Sequence, residues 1–400
     1  MRLFDVHDCD PPYEFVAVEP AGDAPIPEAF RDRILVHTVH DGSAIPARFL
    51  HHEDGSPRLD SETVENRYIE ERDWGANLVA SQIASAMGLP GYGRVRLARV
   101  LLDFNRFPGS TPHDDAVLPL NRLAINHPFA RVLAHEEKFD LLERYYDGIS
   151  SRLESEFFRE RLLTLAVHTY DELNPTQTRR PHLSLLSSVK GYQEESRMPL
   201  GVFDPLYPDV LGESTCSRIL RDRVSLTLER NGFRVSHNYP YALPAGCVEV
   251  RTQVWCFFRY LKKRFLAEHP ETENDRSYGA VWNLLLNTNL RSQQAESMRS
   301  YVHRFRKPAP ERADEFRTVR QAYERLEAFL ERSSVVQDFR RSPDRPSSLG
   351  LEVRKDLLCT FDDRGRPLPL RPSERETAAH IGRLVAFAIN TFLTTDREYL

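Results

Sequence analysis

The stretch that most constrains this chain is RVRLARVLLDFNRFPG, which spans residues 94–109. Its apolar residues predict a buried strand over residues 94–102, and the polar sequence DFNR (residues 103–106) follows at once. In an open α/β sheet, ligands bind in crevices outside the carboxyl ends of the strands. The stretch therefore indicates a ligand site at a strand exit, and a salt-bridged turn at the same place is the alternative.

Apolar runs and amphipathic runs alternate along the chain, and this order predicts an α/β fold. Buried strands separated by helices are typical of a mainly parallel or mixed central sheet with helices on both faces, as in phosphorylase-like and hydrolase-like folds. Further strands are expected at residues 33–39, 162–167 and 349–358, and helices at residues 73–87, 136–161, 214–231 and 373–393.

Residues 252–335 differ from the rest of the chain because they are strongly charged, helical in pattern and poor in strand signals. They contain FFRYLKKRFLAEH, YGAVWNLLLNTNL and ERADEFRTVRQAYERLEAFLERS. We interpret them as a helical insertion or cap. The α/β catalytic domain is then expected to comprise residues 1–251 and 336–400.

The composition argues against several classes of function. The chain has 400 residues and a formal charge of −5, which gives no reason to expect nucleic acid or an anionic membrane as a partner. No stretch has the roughly 18 apolar residues that span a bilayer, and the start MRLFDVHDCDPPYEF does not resemble a signal peptide. The five cysteines form no CxxC pair and are typical of reduced thiols, so a cytoplasmic protein is expected.

Polar side chains follow several of the predicted strands, and carboxyl ends of parallel strands meet at one edge of a sheet. His40 and His168 each come directly after a strand, and Glu352 and Arg354 share one face of a later strand. Two histidines and a carboxylate, with a fourth position open to water, are the usual ligand set of zinc hydrolases. A further carboxylate can serve as general base, and arginine suits a substrate carboxylate. The pattern indicates a zinc hydrolase, although it contains no compact motif such as HExxH.

The order of six segments resembles the N-formylglutamate amidohydrolase family. The segments are HDGSAIP, ERDWGANL, RVLLDFNR, LAVHTYD, HNYPY and LEVRKDLL. The resemblance covers roughly residues 33–245 and 348–393, and DFNR is its most specific piece. It implies a fold similar to that of the zinc carboxypeptidases and the hydrolysis of an amide bond on an acidic amino acid.

Carried over position by position, the resemblance implies one Zn²⁺ ion bound by His40, Asp73 and His168. Asn105 and Arg106 would hold the substrate or polarise its carbonyl, which gives them both catalytic and substrate-binding roles. The predicted activity is therefore that of a zinc-dependent amidohydrolase with a carboxypeptidase-like site.

The assignment of the metal ligands has alternatives in the sequence itself. His37 lies three residues before His40 and competes with it, although a mid-strand position favours packing. Asp73 stands where a helix is expected to begin and is also a natural N-cap. If Asp73 is only a cap, Glu70 or Glu71 would be the third ligand.

The other predicted site residues have structural alternatives as well. Glu352 matches the family's general-base carboxylate, and pairing with Arg354 or Lys355 on the surface is the alternative. Arg179 and Arg180 are candidate clamps for a substrate carboxylate, and a solvated pair is the other interpretation. Tyr241, in the HNYPY segment, is expected to line the cleft or to pack.

Two stretches depart from the family pattern, namely the loop at residues 171–200 and the helical residues 252–335. Both are expected to lie over the sheet edge where the substrate enters. A larger N-acyl amino acid or a peptide is therefore as well supported as formylglutamate. The predicted function is hydrolysis of such an amide by metal-activated water, and the alternative is a non-catalytic peptide- or protein-binding module on a hydrolase scaffold.

Overall fold

The computed structural model describes residues 3–22, 24–108, 124–157, 159–189, 204–287, 292–303, 310–342 and 345–396. These residues form a seven-stranded sheet with the strand order β1-β3-β2-β4-β7-β5-β6. The strands are β1 (Tyr13–Ala17), β2 (Ile34–Thr38), β3 (Gly91–Val95), β4 (Leu163–Tyr170), β5 (Leu183–Leu186), β6 (Val235–His237) and β7 (Ser347–Arg354).

The centre of the sheet is parallel and its edges are mixed. Strands β3, β2, β4 and β7 run parallel to one another. β1 is antiparallel to β3, and β5 is antiparallel to β7, while β6 runs parallel to β5. Every residue of β4 and β7 is buried, as is typical of strands that are covered on both faces.

Fifteen α-helices connect and cover the strands in the described part of the chain. They are α1 (Glu28–Arg31), α2 (Ala47–Leu50), α3 (Ser61–Glu71), α4 (Ala76–Ala86), α5 (Phe129–Val132), α6 (His135–Leu141), α7 (Asp147–Phe157), α8 (Asp209–Gly212), α9 (Arg218–Arg230), α10 (Val248–Glu268), α11 (Arg276–Leu286), α12 (Gln293–Val302), α13 (Ala313–Arg332), α14 (Val335–Arg341) and α15 (Pro372–Thr391). A π-helical turn, Leu142–Tyr146, joins α6 to α7.

Helices pack on both faces of the sheet. On one face, Val36, Leu165 and Leu351 of three adjacent strands share a hydrophobic cluster with residues of α4, α9 and α15. On the other face, Leu35 shares a cluster with residues of α3, the π-helical turn and α7, and α10 packs on β7 and β4. The predicted α/β class, with a mixed central sheet between two layers of helices, is confirmed.

Helices α10 to α14 contribute to a third hydrophobic cluster, which includes Phe257, Trp282 and Leu326. The helical pattern predicted for residues 252–335 is therefore present in the described residues of this region. It begins earlier than predicted, because α10 starts at Val248 and its first turns pack on the sheet. The division of the chain into a catalytic domain and an insertion stays a proposal.

The predicted strand over residues 94–102 is wrong. β3 ends at Val95, and the apolar residues that follow fold into a turn in which Leu101 and Leu102 both donate their N–H groups to the Ala98 carbonyl, at 3.0 and 3.2 Å. These residues are apolar because the turn itself is buried, and a short apolar run does not distinguish a buried turn from a buried strand. DFNR thus follows a turn instead of a strand.

β4 extends to Tyr170, three residues beyond the predicted end, so His168 lies within the strand near its carboxyl end. The five cysteines are free thiols. Among the described residues, no helix is both long enough and apolar enough to cross a bilayer. Residues 190–200 of the loop predicted at residues 171–200 lie outside the described part of the chain.

Candidate metal centre

His40 lies two residues beyond the end of β2, in a turn that the nearby glycine permits. A Cβ atom on Gly42 would lie 2.2 Å from the carbonyl oxygen of Leu97, so only glycine allows the two backbones to pass this closely. Asp41 lies between His40 and Gly42 in the sequence. Its side chain accepts a hydrogen bond of 2.8 Å from the backbone N–H of Asn77, in the first turn of α4. The HDG segment thereby fixes His40 against the start of α4.

Asp73 lies just before α4 and does not act as its N-cap. The N-cap is Gly75, which adopts the left-handed conformation at φ 88°, and the helix begins at Ala76. The backbone N–H of Asp73 donates to the carbonyl of His40 at 3.1 Å. Because the side chain is not used for capping, the carboxylate is free to face the imidazoles.

His168 and Glu352 are direct neighbours on two parallel strands. The register of β4 and β7 pairs the two residues, so both side chains leave the same face of the sheet. Both are buried, with 4% and 3% of their surface exposed. The sheet therefore places a histidine and a carboxylate side by side near the carboxyl ends of its central strands.

The three predicted metal ligands form one buried cluster. Oδ2 of Asp73 lies 2.8 Å from Nδ1 of His168 and 3.5 Å from Nδ1 of His40. One ligand atom from each residue lies within 4.8 Å of the others. Two imidazole nitrogens and one carboxylate oxygen are the donor set of catalytic zinc sites, so these residues fit such an ion. Other transition metals accept the same donors.

Electrostatic interactions inside the cluster favour the charged forms of Asp73 and His168. Burial would raise the pKa of Asp73, but hydrogen bonds from His168 and His40 outweigh it and hold the pKa well below its usual value. Burial would lower the pKa of His168, but the hydrogen bond and charge of Asp73 and the charge of Glu352 raise it to about 9. The carboxylates thus supply negative charge that a divalent cation would neutralise.

A further carboxylate, which the sequence did not assign to the site, lies behind His40. Oδ1 of Asp103, the first residue of DFNR, is 2.8 Å from Nε2 of His40. Arg99 reaches Asp103 Oδ2 at 3.1 Å and Asp73 Oδ1 at 3.4 Å. Burial would raise the pKa of Asp103, but Arg99 and His40 hold it well below its usual value. A carboxylate on the far nitrogen of a metal-binding histidine fixes the ring and its tautomer.

Asn105 lies on the far side of the His168 ring. Its Oδ1 accepts a hydrogen bond of 3.3 Å from the backbone N–H of Val248, and its Nδ2 is 3.5 Å from Nε2 of His168. Both ends of the amide therefore contact the protein. The role in substrate binding that the resemblance implies for Asn105 stays a prediction.

Glu352 has one oxygen held and one oxygen available. Tyr241 donates a short hydrogen bond from its hydroxyl to Oε1, whereas the buried Oε2 has no hydrogen-bond partner among the described residues. Burial raises the pKa of Glu352, and the charge of Asp73 raises it further. Arg354 pairs with Asp356 at 2.6 Å and not with Glu352. A carboxylate with a raised pKa beside a metal site suits general acid–base chemistry.

The predicted arginines lie at different distances from this centre. The half-buried side chain of Arg106 stands at the edge of the cluster, and its Nε is 4.0 Å from Oδ2 of Asp103. Arg179 pairs with Glu172 at 2.6 Å on the surface, and the Arg180 guanidinium lies 5.3 Å from the Tyr170 ring centroid. Neither has a hydrogen bond or ion pair with the predicted ligands in the described part of the chain.

The alternative ligands lie elsewhere. His37 is fully buried in the sheet, where burial and the charge of His168 lower its pKa to about 3. Glu70 and Glu71 both bind Arg67 on α3, each at 2.6 Å. The geometry therefore favours His40 over His37, and Asp73 over the two glutamates.

The fold and the site together define the class of protein: an α/β protein with a candidate two-histidine, one-carboxylate metal centre near the carboxyl ends of its central strands. The sequence profile of the N-formylglutamate amidohydrolase family matches residues 32–256, more than half of the chain. The chain belongs to this family, which confirms the resemblance and makes hydrolysis of a C–N bond its class of activity. Glu352 lies beyond the matched residues.

Comparison with solved structures gives four matching chains, and the two described here share 14% sequence identity with this chain. The structure of gene product Atu2144 from Agrobacterium tumefaciens covers 91% of this chain and 93% of its own, with a TM-score of 0.44. The match with the structure of an N-formylglutamate amidohydrolase from Ralstonia eutropha JMP134 covers 95% of this chain and 97% of that protein, with a TM-score of 0.46. Comparison with curated proteins finds no match.

Proposed function

We propose that this chain is a zinc-dependent hydrolase that cleaves the amide bond of an N-acyl amino acid of the formylglutamate type. The observation that carries the proposal is the cluster of His40, Asp73 and His168, whose ligand atoms lie within 4.8 Å of one another. Membership of the amidohydrolase family supports the class of reaction.

The proposed chemistry divides between an ion and the residues around it. Zinc bound at this site would supply a Lewis acid for the substrate carbonyl and lower the pKa of water to about 7. Glu352 accepts the proton of the attacking water on Oε2 and passes it to the leaving nitrogen. Tyr241 holds Oε1 of Glu352 in place during both transfers.

The proposed substrate class follows from the edge of the site. Arg106, which is partly exposed beside the cluster, is the proposed partner of a substrate carboxylate, because its planar guanidinium binds that group with two hydrogen bonds. Tyr241 and Arg180 are proposed to contact the rest of the substrate. A small N-acyl amino acid fits the family, and a short peptide is the alternative substrate.

The proposal is tested by metal analysis and by assay of the purified protein. We expect about one zinc ion per chain and release of free amine from N-formylglutamate or a related N-acyl amino acid. A panel with different acyl groups, amino acids and short peptides distinguishes the substrate classes. The His168→Ala variant is expected to lose both the zinc and the activity.

The matched control is His52→Ala, because His52 is exposed and lies outside the cluster. This variant is expected to keep the zinc and the activity of the original protein. Absence of stoichiometric metal, or unchanged activity in His168→Ala, would rule the proposal out.

A further inference from the structure

Another buried carboxylate, that of Glu249, lies against the candidate metal centre on the side away from Asp73. Glu249 is in the first turn of α10 and is only 1% exposed. Its Oε1 lies 4.0 Å from Nε2 of His168, whereas the other ring nitrogen, Nδ1, faces Asp73 at 2.8 Å. The imidazole of His168 is therefore placed between two carboxylates.

The sheet leaves room for this carboxylate at one position. Ala166 and Gly350 are register partners in β4 and β7, two residues before His168 and Glu352 on the same face. A Cβ atom on Gly350 would lie only 2.9 Å from Oε1 of Glu249. The absence of a side chain at Gly350 thus allows Glu249 to reach the sheet beside His168.

The carboxylate of Glu249 lacks an ordinary hydrogen-bond donor. Neither oxygen has a hydrogen-bond partner among the described residues, and the polar neighbour Cys247 offers only a weakly donating thiol. A buried carboxylate without a donor is costly. The ring nitrogen Nε2 of His168, which lies 4.0 Å from Oε1, is a strong donor when it carries a proton.

The ring of His168 needs such an acceptor once its Nδ1 binds a metal. A neutral imidazole that binds through Nδ1 carries its proton on Nε2, and that N–H is normally held by a carboxylate, a carbonyl or water. Asn105 is not the acceptor for this N–H group. Its Oδ1 already accepts a hydrogen bond from the backbone N–H of Val248, and its Nδ2, which is a donor, faces the ring. His40 shows the same design, with Asp103 on its Nε2 at 2.8 Å.

We propose that Glu249 is a positioning residue that accepts a hydrogen bond from the Nε2–H group of His168 and orients the ring toward the ion. This inference rests on the proposed function, because it requires a metal on Nδ1 of His168. Glu249 touches neither substrate nor ion, and it acts only through the histidine. The readout is therefore the affinity for zinc and not the activity of the enzyme.

The test compares Glu249→Gln with the original protein in competition with a chromophoric zinc chelator at fixed pH. We expect the variant to bind zinc about 10–100-fold more weakly, the usual effect of removing a partner of this kind. The thermal midpoint of the metal-free variant is expected not to fall, because the substitution removes a buried charge without a donor. Glu156→Gln is the matched control, since Glu156 is buried, pairs with Arg161 and lies in the last turn of α7, before the amino end of β4.

A second variant, Gly350→Ala, displaces the Glu249 carboxylate without changing any charge, and it is expected to weaken zinc binding in the same way. Equal zinc affinity in the original protein and in Glu249→Gln would overturn the inference and leave the proposed function standing. Equal weakening in Glu156→Gln would overturn it as well. An original protein that binds no zinc would overturn both proposals.

Discussion

At the scale of single residues, the site is organised around one carboxylate that several groups share. Oδ2 of Asp73 faces Nδ1 of both histidines, and its Oδ1 is 3.4 Å from Arg99. The arginine also binds Asp103 and so restrains both acids from one side. Asp73, Asp103, Arg99 and the two histidines are linked by shared contacts. The geometry of the cluster therefore depends on this network and not on any one contact.

Glu352 is the residue whose removal should separate chemistry from metal binding. The Glu352→Gln variant keeps the size of the side chain and an oxygen for Tyr241, but it loses the ability to accept a proton. We expect kcat to fall by about 10²–10⁴-fold, the usual contribution of general acid–base catalysis. Steady-state assays with an N-acyl amino acid, together with metal analysis, provide the measurement.

The same variant distinguishes an enzyme from a binding module on a hydrolase scaffold. The zinc content of Glu352→Gln is expected to stay at the level of the original protein, since Glu352 is not among the proposed ligands. Glu156→Gln, a buried glutamate outside the site, serves as the control and should retain full activity. A Glu352→Gln variant with undiminished turnover would exclude the proposed general base.

At the scale of secondary-structure elements, the sequence predicted β2 and β4 well, because both contain short apolar runs, ILV in β2 and LAV in β4. The strand predicted at residues 349–358 is present as β7, but it spans Ser347–Arg354 and ends where a 3-10 turn begins at Lys355. The strand prediction failed at residues 94–102, where the same apolar signal arises from a buried turn. His40 and His168 were predicted from their positions after strands, whereas Asp73 was predicted only from the resemblance to the family. Long-range contacts of this kind are not encoded in local spacing.

The residues that sequence reasoning missed are supporting charges. Arg99 lies in an apolar run whose pattern predicts a strand, and its four-residue spacing from Asp103 is the signal for a contact across a turn. Glu249 lies just before the charged helical residues 252–335. In a stretch with many acidic residues, the sequence alone does not distinguish an acid of the site from one on the surface. The place of Glu249 beside His168 depends on the packing of α10 on β7, a contact between segments far apart in the sequence.

The loop that carries DFNR is pinned from two helical elements through Tyr146. The Tyr146 hydroxyl donates to the Arg106 carbonyl at 2.8 Å and accepts from Arg251, on α10, at the same distance. Tyr146→Phe removes both hydrogen bonds and leaves buried groups unsatisfied. We expect the free energy of unfolding to fall by about 1–3 kcal/mol, measured by denaturant titration.

The matched control for this substitution is Tyr13→Phe. Tyr13 is also buried, but its hydroxyl has no hydrogen-bond partner among the described residues. Removing an unsatisfied hydroxyl should cost no stability. Equal losses in the two variants would mean that the network around Arg106 does not contribute to stability.

At the scale of the whole molecule, the site draws on parts that are far apart in the sequence. His40 and Asp73 come from the segments after β2 and before α4, His168 and Glu352 from the sheet, and Glu249 from α10. A boundary at residue 252 would therefore cut through a helix that takes part in the site. We propose that the first turns of α10 belong with the catalytic domain and that any insertion begins after them.

An ion at this place would join these distant segments, so zinc should stabilise the whole fold. A ligand that binds only the folded state, at about 1,000 times its Kd, contributes about 4 kcal/mol. For a chain of 400 residues this corresponds to a rise in Tm of about 5 °C. Thermal unfolding of the chelator-treated protein, with and without added zinc, measures the shift.

In the same measurement, zinc should not raise the Tm of His168→Ala and should raise the Tm of His52→Ala by the full amount. A similar rise in both variants would place the stabilising ion outside the proposed centre.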